Sequence, residues 1–230
     1  MMGWLGKLRP RMSLRVLLVV VTMAAVCLGW LVSSARRQRA ALHSLDAALV
    51  MWDYQLPDGN FNRWDPHAQP PYPKWFRQLA GNDMLGTVRG VAMVSPTQRI
   101  SLEPLRSLPD VELLNLTGSQ LDEDQLQFVA ELKTLHVLNL DMTSVGDRGL
   151  AHLADMDSLA VLSLVSTNVT DAGLVHLHGM KQLQQLDLEG TAVTDGGVAT
   201  LQAILPGCQI WNGPRYTPQS NPNPVPSITR

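Results

Sequence analysis

A 24-residue period running from Val111 to Ile204 constrains this chain more than any other feature. The segments VELLNLTGSQLDEDQLQFVAEL, LHVLNLDMTSVGDRGLAHLADM, LAVLSLVSTNVTDAGLVHLHGM and LQQLDLEGTAVTDGGVATLQAI superimpose column by column. Apolar residues recur at Val111/Leu135/Leu159/Leu183, Leu114/Leu138/Leu162/Leu186 and Leu116/Leu140/Leu164/Leu188. They recur again at Leu121/Val145/Val169/Val193, Leu126/Leu150/Leu174/Val198, Val129/Leu153/Leu177/Leu201 and Leu132/Met156/Met180/Ile204. One further step of 24 backwards lands on Leu102, Leu105 and Leu108, so a degenerate unit precedes the others. Within each unit, alternation gives way to three-residue steps, the signature of a short strand, a turn and a helical segment sharing one inward face. A single unit has nothing to bury that face against. Stacked units do, with strands parallel along one side and helical turns along the other.

Two polar columns have local duties in such a stack. Ser119, Thr143, Thr167 and Thr191 follow the strand, where an inward hydroxyl satisfies backbone groups left open by the bend. Glu123, Asp147, Asp171 and Asp195 precede the helical pattern, where a carboxylate is expected to accept from free helix N–H groups and complement the helix dipole.

The pattern LxxLxLxxTxVTDxGLxxL resembles the leucine-rich repeat, in the Thr-Asp-Gly variety of bacterial, planctomycete-like proteins. Thr167–Leu174 and Thr191–Val198 match it best, whereas Leu121–Leu126 lacks both Thr-Asp and Gly. The apolar N-terminal run before RRQRA is similar to the membrane anchor of a group of those proteins, and Leu201–Ile210 resembles their closing segment. The resemblance covers residues 98–210. It implies an α/β fold, a right-handed leucine-rich repeat solenoid forming a short arc, with parallel strands on the concave face and helical turns on the convex one. It implies an interaction surface and names no activity.

Ahead of the repeats, Arg15 and Arg36 bracket twenty uncharged residues, Val16–Ala35. As a helix this run is about 30 Å long, the thickness of a hydrocarbon core. Trp30 is placed as an interfacial anchor. The reading is an uncleaved single-pass anchor that touches the lipid bilayer through residues 16–35. A cleaved signal peptide is the alternative, with Ser33-Ser34-Ala35 as the small-residue site, although Arg36-Arg37 directly after it is unfavourable. A lipid anchor on Cys27 fits less well behind the bulky Val26. Four basic residues before the run against three after it favour a cytoplasmic N-terminus and an exported repeat domain.

The remaining boundaries follow composition. A basic segment spans 1–15, the transmembrane helix 16–35, and a juxtamembrane helix with a Pro-rich loop 36–73. Here Ala40–Trp52 continues a helix, with Leu42, Leu45, Leu49 and Trp52 at helical spacing, and Leu56–Pro73 is loop. Residues 74–110 form an N-terminal cap and degenerate first repeat, with a helical pattern at Lys74–Leu79 and a strand over Val88–Val94. Four repeats occupy 111–204. At Leu205-Pro206 one residue is inserted into the register, residues 205–211 close the stack, and the proline-rich 212–230 is a disordered tail.

Charge narrows the partners. Residues 1–39 hold seven Lys/Arg and no acid, whereas residues 110–204 hold three bases against fourteen acids. That acidic body repels phosphate, which argues against nucleic acid. Strand residues pointing away from the core form the candidate binding face: Leu113, Val137, Val161 and Gln185; Asn115, Asn139, Ser163 and Asp187; Thr117, Asp141, Val165 and Glu189. Val137, Val161 and Val165 are apolar without a core to join, and Asp141, Asp187 and Glu189 form an acidic edge. The expected partner is a protein or peptide. The alternative is β-branched strand surface resting on another copy or on the N-terminal segment. Oligomeric state is left open.

No catalytic constellation emerges. The chain has no Gly-rich phosphate loop, GxSxG elbow or HExxH pair. His152 and His176 stand one period apart with no third ligand placed to complete a set, and Cys208 has no activating neighbour in sequence. No cofactor or metal is expected. A subunit of a membrane-associated enzyme complex, or a hydrolase built on His67, an acid and Cys208, stays as the alternative function.

Overall fold

The computed structural model describes residues 14–45, 47–52, 55, 87–93 and 99–213. The Pro-rich loop 56–73, the Lys74–Leu79 pattern, Val94 and the tail beyond residue 213 lie outside the described residues.

Helix α1 runs unbroken over Leu14–Ser44, 31 residues, about 46 Å of helix. It is long and apolar enough to cross a membrane. Side chains from Leu18 to Trp30 are exposed, whereas Ala35, Gln38, Ala41 and Leu45 are buried at steps of three or four residues. That buried stripe packs against a 3-10 helix at Glu103–Ser107, and Ala41 and Leu45 join the same core as the repeat leucines. One helix therefore serves two environments in succession.

The helix expected to continue through Trp52 is corrected by the structure. It stops at Ser44, and Ala47–Trp52 forms strand β1. This strand pairs antiparallel with β2, Val88–Met93. The helical spacing of Leu42 and Leu45 is real, but β1 gains the hydrogen bonds of the otherwise open edge of β2. The pairing sets Met51 opposite Gly90, where a Cβ would lie 2.5 Å from Met51 Cε and 3.1 Å from its Cβ. Glycine leaves room for that buried methionine across the ladder.

From β2 onwards the sheet is parallel, through β3 (Leu113–Asn115), β4 (Val137–Asn139), β5 (Val161–Ser163), β6 (Gln185–Asp187) and β7 (Gln209–Trp211). Its order follows the sequence, and Leu114, Leu138, Leu162, Leu186 and Ile210 stand in one register line. The returning segments carry α2 (Leu126–Ala130), α3 (Asp147–Leu153), a 3-10 helix at Gly173–Leu177 and α4 (Asp195–Ile204). The leucines between them are fully buried, each contributing about 1.5–3 kcal/mol. The arrangement is an α/β repeat stack.

Three of the four turn hydroxyls act as their position demands, whereas the buried Ser119 Oγ makes no hydrogen bond among the described residues. Thr143, Thr167 and Thr191 each donate to the carbonyl three residues back, Leu140, Leu164 and Leu188, at 2.6, 2.7 and 2.7 Å. The preceding column, Gly118, Met142, Ser166 and Gly190, turns through the left-handed region in every unit, with φ between 55° and 71°. Two of those units use a residue that carries a Cβ, at a steric cost.

The acid column does something other than the expected capping. Asp147 accepts from Thr170 N and Oγ1 of the next unit at 2.8 and 2.7 Å. Asp171 accepts from Thr194 N and Oγ1 at the same two distances, and Glu123 accepts from Gly146 N at 2.6 Å. Gly146, which precedes α3, has no side-chain cap, and α4 is capped by Thr194 accepting from Gly197 N. The glycine of each Thr-Asp-x-Gly string completes the joint. A Cβ on Gly173 would collide with the Asp147 carboxylate, and one on Gly197 with that of Asp171. Thr, Asp and Gly thus form an interlock between successive units.

At the far end, Leu205 and Cys208 repeat the backbone contact made by Met180 and Leu183 with one residue added. The strand register nevertheless returns to 24, since Leu186 pairs with Ile210. The extra residue is absorbed in the turn.

Candidate functional site: the outward face of the sheet

Strands β3, β4 and β5 share one burial pattern, a buried central leucine between two half-buried residues. Leu113, Val137 and Val161 therefore line up across the sheet, followed by Asn115, Asn139 and Ser163. All six turn away from the core, as alternation requires. Thr117, Asp141, Val165 and Glu189, just past the strands, are half-buried too, and Gln185 is exposed.

Polar residues on this face are tied together. Asn115 Oδ1 accepts from Thr117 N and Oγ1 at 2.9 and 2.7 Å, and Thr117 Oγ1 lies 2.9 Å from Asn139 Oδ1. Asn139 Nδ2 donates to Asp141 Oδ2 at 3.0 Å, while Asp141 N donates back to Asn139 Oδ1 at 2.8 Å. Asp141 Oδ1 then accepts from Ser163 Oγ at 2.6 Å and Val165 N at 2.9 Å. The result is a diagonal ladder spanning three units. Column reading alone missed it, although the Asn-x-Thr and Asn-x-Asp strings are its trace in the sequence. Fixed in this way, the polar groups present a rigid surface around Val137, Val161 and Val165.

The expected acidic edge is corrected by burial and bonding. Asp187 is only 3% exposed, and its Oδ1 accepts from Glu189 N at 3.1 Å. Asp141 commits both carboxylate oxygens to neighbours. Strand alternation gives a side chain's direction but not what lies over it, so these acids are less available than their columns suggest.

Other titratable groups show structural duties. Two hydrogen bonds from Thr194 hold the Asp171 carboxyl below its usual range. Burial pushes the Cys208 thiol up to about 11, so it stays protonated at neutral pH. His152 Nε2 lies 3.8 Å from Asp124, while His176 and His178 are half-buried on the helical side. Among the described residues, no group of three His, Cys, Asp or Glu is gathered that could hold a metal ion. His67 lies outside the described residues.

No protein-family model matches the chain, and no curated protein matches it. Among solved structures it is similar to an internalin (inlF) from Listeria monocytogenes, with 22% identity over 53% of this chain and 33% of that one, at a TM-score of 0.41. Internalin C2 from the same organism gives 25% identity over 49% and 48%, at 0.39. A leucine-rich repeat protein from Leptospira interrogans gives 20% over 61% and 34%, at 0.37. The chain spans between a third and a half of the length of these proteins.

Proposed function

We propose that this chain is a membrane-tethered leucine-rich repeat module that binds a protein or peptide through the outward, concave face of its sheet and performs no catalysis. The observation that carries the reading is the half-buried trio Val137, Val161 and Val165 set in the hydrogen-bonded ladder of Asn115, Thr117, Asn139, Asp141 and Ser163. Apolar side chains held among fixed polar neighbours make better anchors than mobile, solvated charges. Leu113 and Gln185 extend the face to either side, with Glu189 at its far end. Helix α1 supplies the tether, with the N-terminus cytoplasmic and the repeats exported by the balance of basic residues. Nucleic acid is not a partner in this reading, because the repeats are acidic.

The test uses the full-length protein. Replacing Val137, Val161 and Val165 together by Lys should abolish capture of the native partner from detergent-solubilised source cells while leaving the circular dichroism spectrum unchanged. Recovery of the same proteins by both forms would move the binding surface elsewhere. Release of the protein from membranes by a carbonate wash would end the tether.

A further inference from the structure

The junction of α1 with the front of the stack contains a cleft of about 390 Å³. Trp30 and Leu31 line it from the apolar side, Arg37 and Gln38 from further along the helix, and Arg106 and Asp110 from the repeat side. Its level is fixed by the helix. The cleft begins where exposed apolar residues end, at Trp30, and stops where the buried stripe of α1 enters the core. Resting on the tether reading, this places it at headgroup depth.

We propose that the cleft holds the headgroup of a bilayer phospholipid bearing both a phosphate and an amine, of the phosphoethanolamine type. The Arg37 guanidinium and the Nη1 edge of Arg106 suit the phosphate, since Arg106 Nε and Nη2 are both engaged by Glu131. Arg106 is held in place by Glu131, at 2.6 and 2.7 Å, and by the Phe128 ring, 4.8 Å away. Arg37 makes a long contact of 3.5 Å with Ser33 Oγ on its own helix. Asp110 supplies the one carboxylate among the described lining residues and suits the amine. Trp30 and Leu31 then lie alongside the first carbons of an acyl chain. A purely anionic headgroup would leave Asp110 facing negative charge, which sets the preference.

The experiment reconstitutes full-length protein in vesicles of mixed phosphatidylethanolamine and phosphatidylglycerol and counts retained phospholipid by native mass spectrometry. The wild type should retain phosphatidylethanolamine selectively. Arg37→Gln should lower retention about tenfold, whereas Arg36→Gln, one residue away and outside the lining, should leave it within about twofold. Asp110→Asn should erase the preference for the amine lipid. Equal losses from the two arginine variants would mean diffuse surface attraction and overturn the site. A further arm replaces phospholipid by inorganic phosphate in detergent; retention there overturns the bilayer source. Protein that fails to co-float with vesicles overturns the tether and this proposal together, whereas protein that floats but retains no lipid overturns this proposal alone.

Discussion

Gly173→Ala offers a sharp test of the interlock, because two rules predict opposite signs. Gly173 opens a 3-10 helix and has no positive φ. By intrinsic propensity and chain entropy, alanine there should stabilise by about 0.4–1 kcal/mol. The new Cβ, however, occupies the place of the Asp147 carboxylate. That carboxylate must swing away and release Thr170 N and Oγ1, the former at 2.8 Å and the latter at 2.7 Å. Hydrogen bonds to a charged acceptor are worth about 1.5–3 kcal/mol each, less where water can replace the partner. Asp147 is half-buried, so partial replacement leaves a net loss of about 1–3 kcal/mol. The assay is urea unfolding of the full-length protein in mild detergent, followed by circular dichroism. In an Asp147→Ala background the penalty should shrink, since the carboxylate is gone and only the 3.1 Å approach of the new Cβ to the residue-147 Cα remains. A Gly173→Ala protein as stable as wild type, or an equal penalty in both backgrounds, would refute the interlock.

Other consequences can be checked alongside. Asp171, whose pKa is depressed in the folded state, stabilises the fold fully above its ordinary value of 3.8, and that stabilisation is lost as pH falls through the lower folded value. Melting temperatures measured on acidification should fall less steeply for Asp171→Asn than for wild type. Leu164→Ala empties a fully buried site and should cost about 2–5 kcal/mol, against under about 1 kcal/mol for the outward Val161→Ala; equal losses in denaturant midpoint would mean the strand faces are reversed. Gly190→Ala, at φ +71°, should destabilise by about 1–2 kcal/mol, while Met142→Gly at the equivalent turn should not lower the midpoint.

What could be read from the sequence depended on the range of the interaction. The inner columns were legible because a leucine repeated every 24 residues has one physical use, burial against its copy. Thr143 and Thr167 were legible because their hydroxyls act on a carbonyl three residues back. The interlock was not, since Asp147 and Thr170 lie 23 residues apart and an acid before a helix also suits capping. Ala47–Trp52 carried spacing compatible with helix or strand, and the open edge of β2, invisible in sequence, decided between them. Asp187 pointed outward as its column required, yet its burial depends on what lies above the sheet.

The continuity of α1 makes helical phase a property shared by its two ends. Residues turn by about 100° and advance by about 1.5 Å each, so the azimuth of Ala41 in the core fixes the azimuth of every residue back to Val16. No glycine, proline or break in the helix separates Trp30 from Ser44 to let one end slip against the other. A torque or a vertical thrust applied to the apolar half therefore reaches the Glu103–Ser107 contact as rotation or translation of the same rod. Lengthening the helix by one residue would misalign the whole stripe, whereas lengthening it by about seven, close to two turns, would preserve the phase and lift the repeats by about 10 Å.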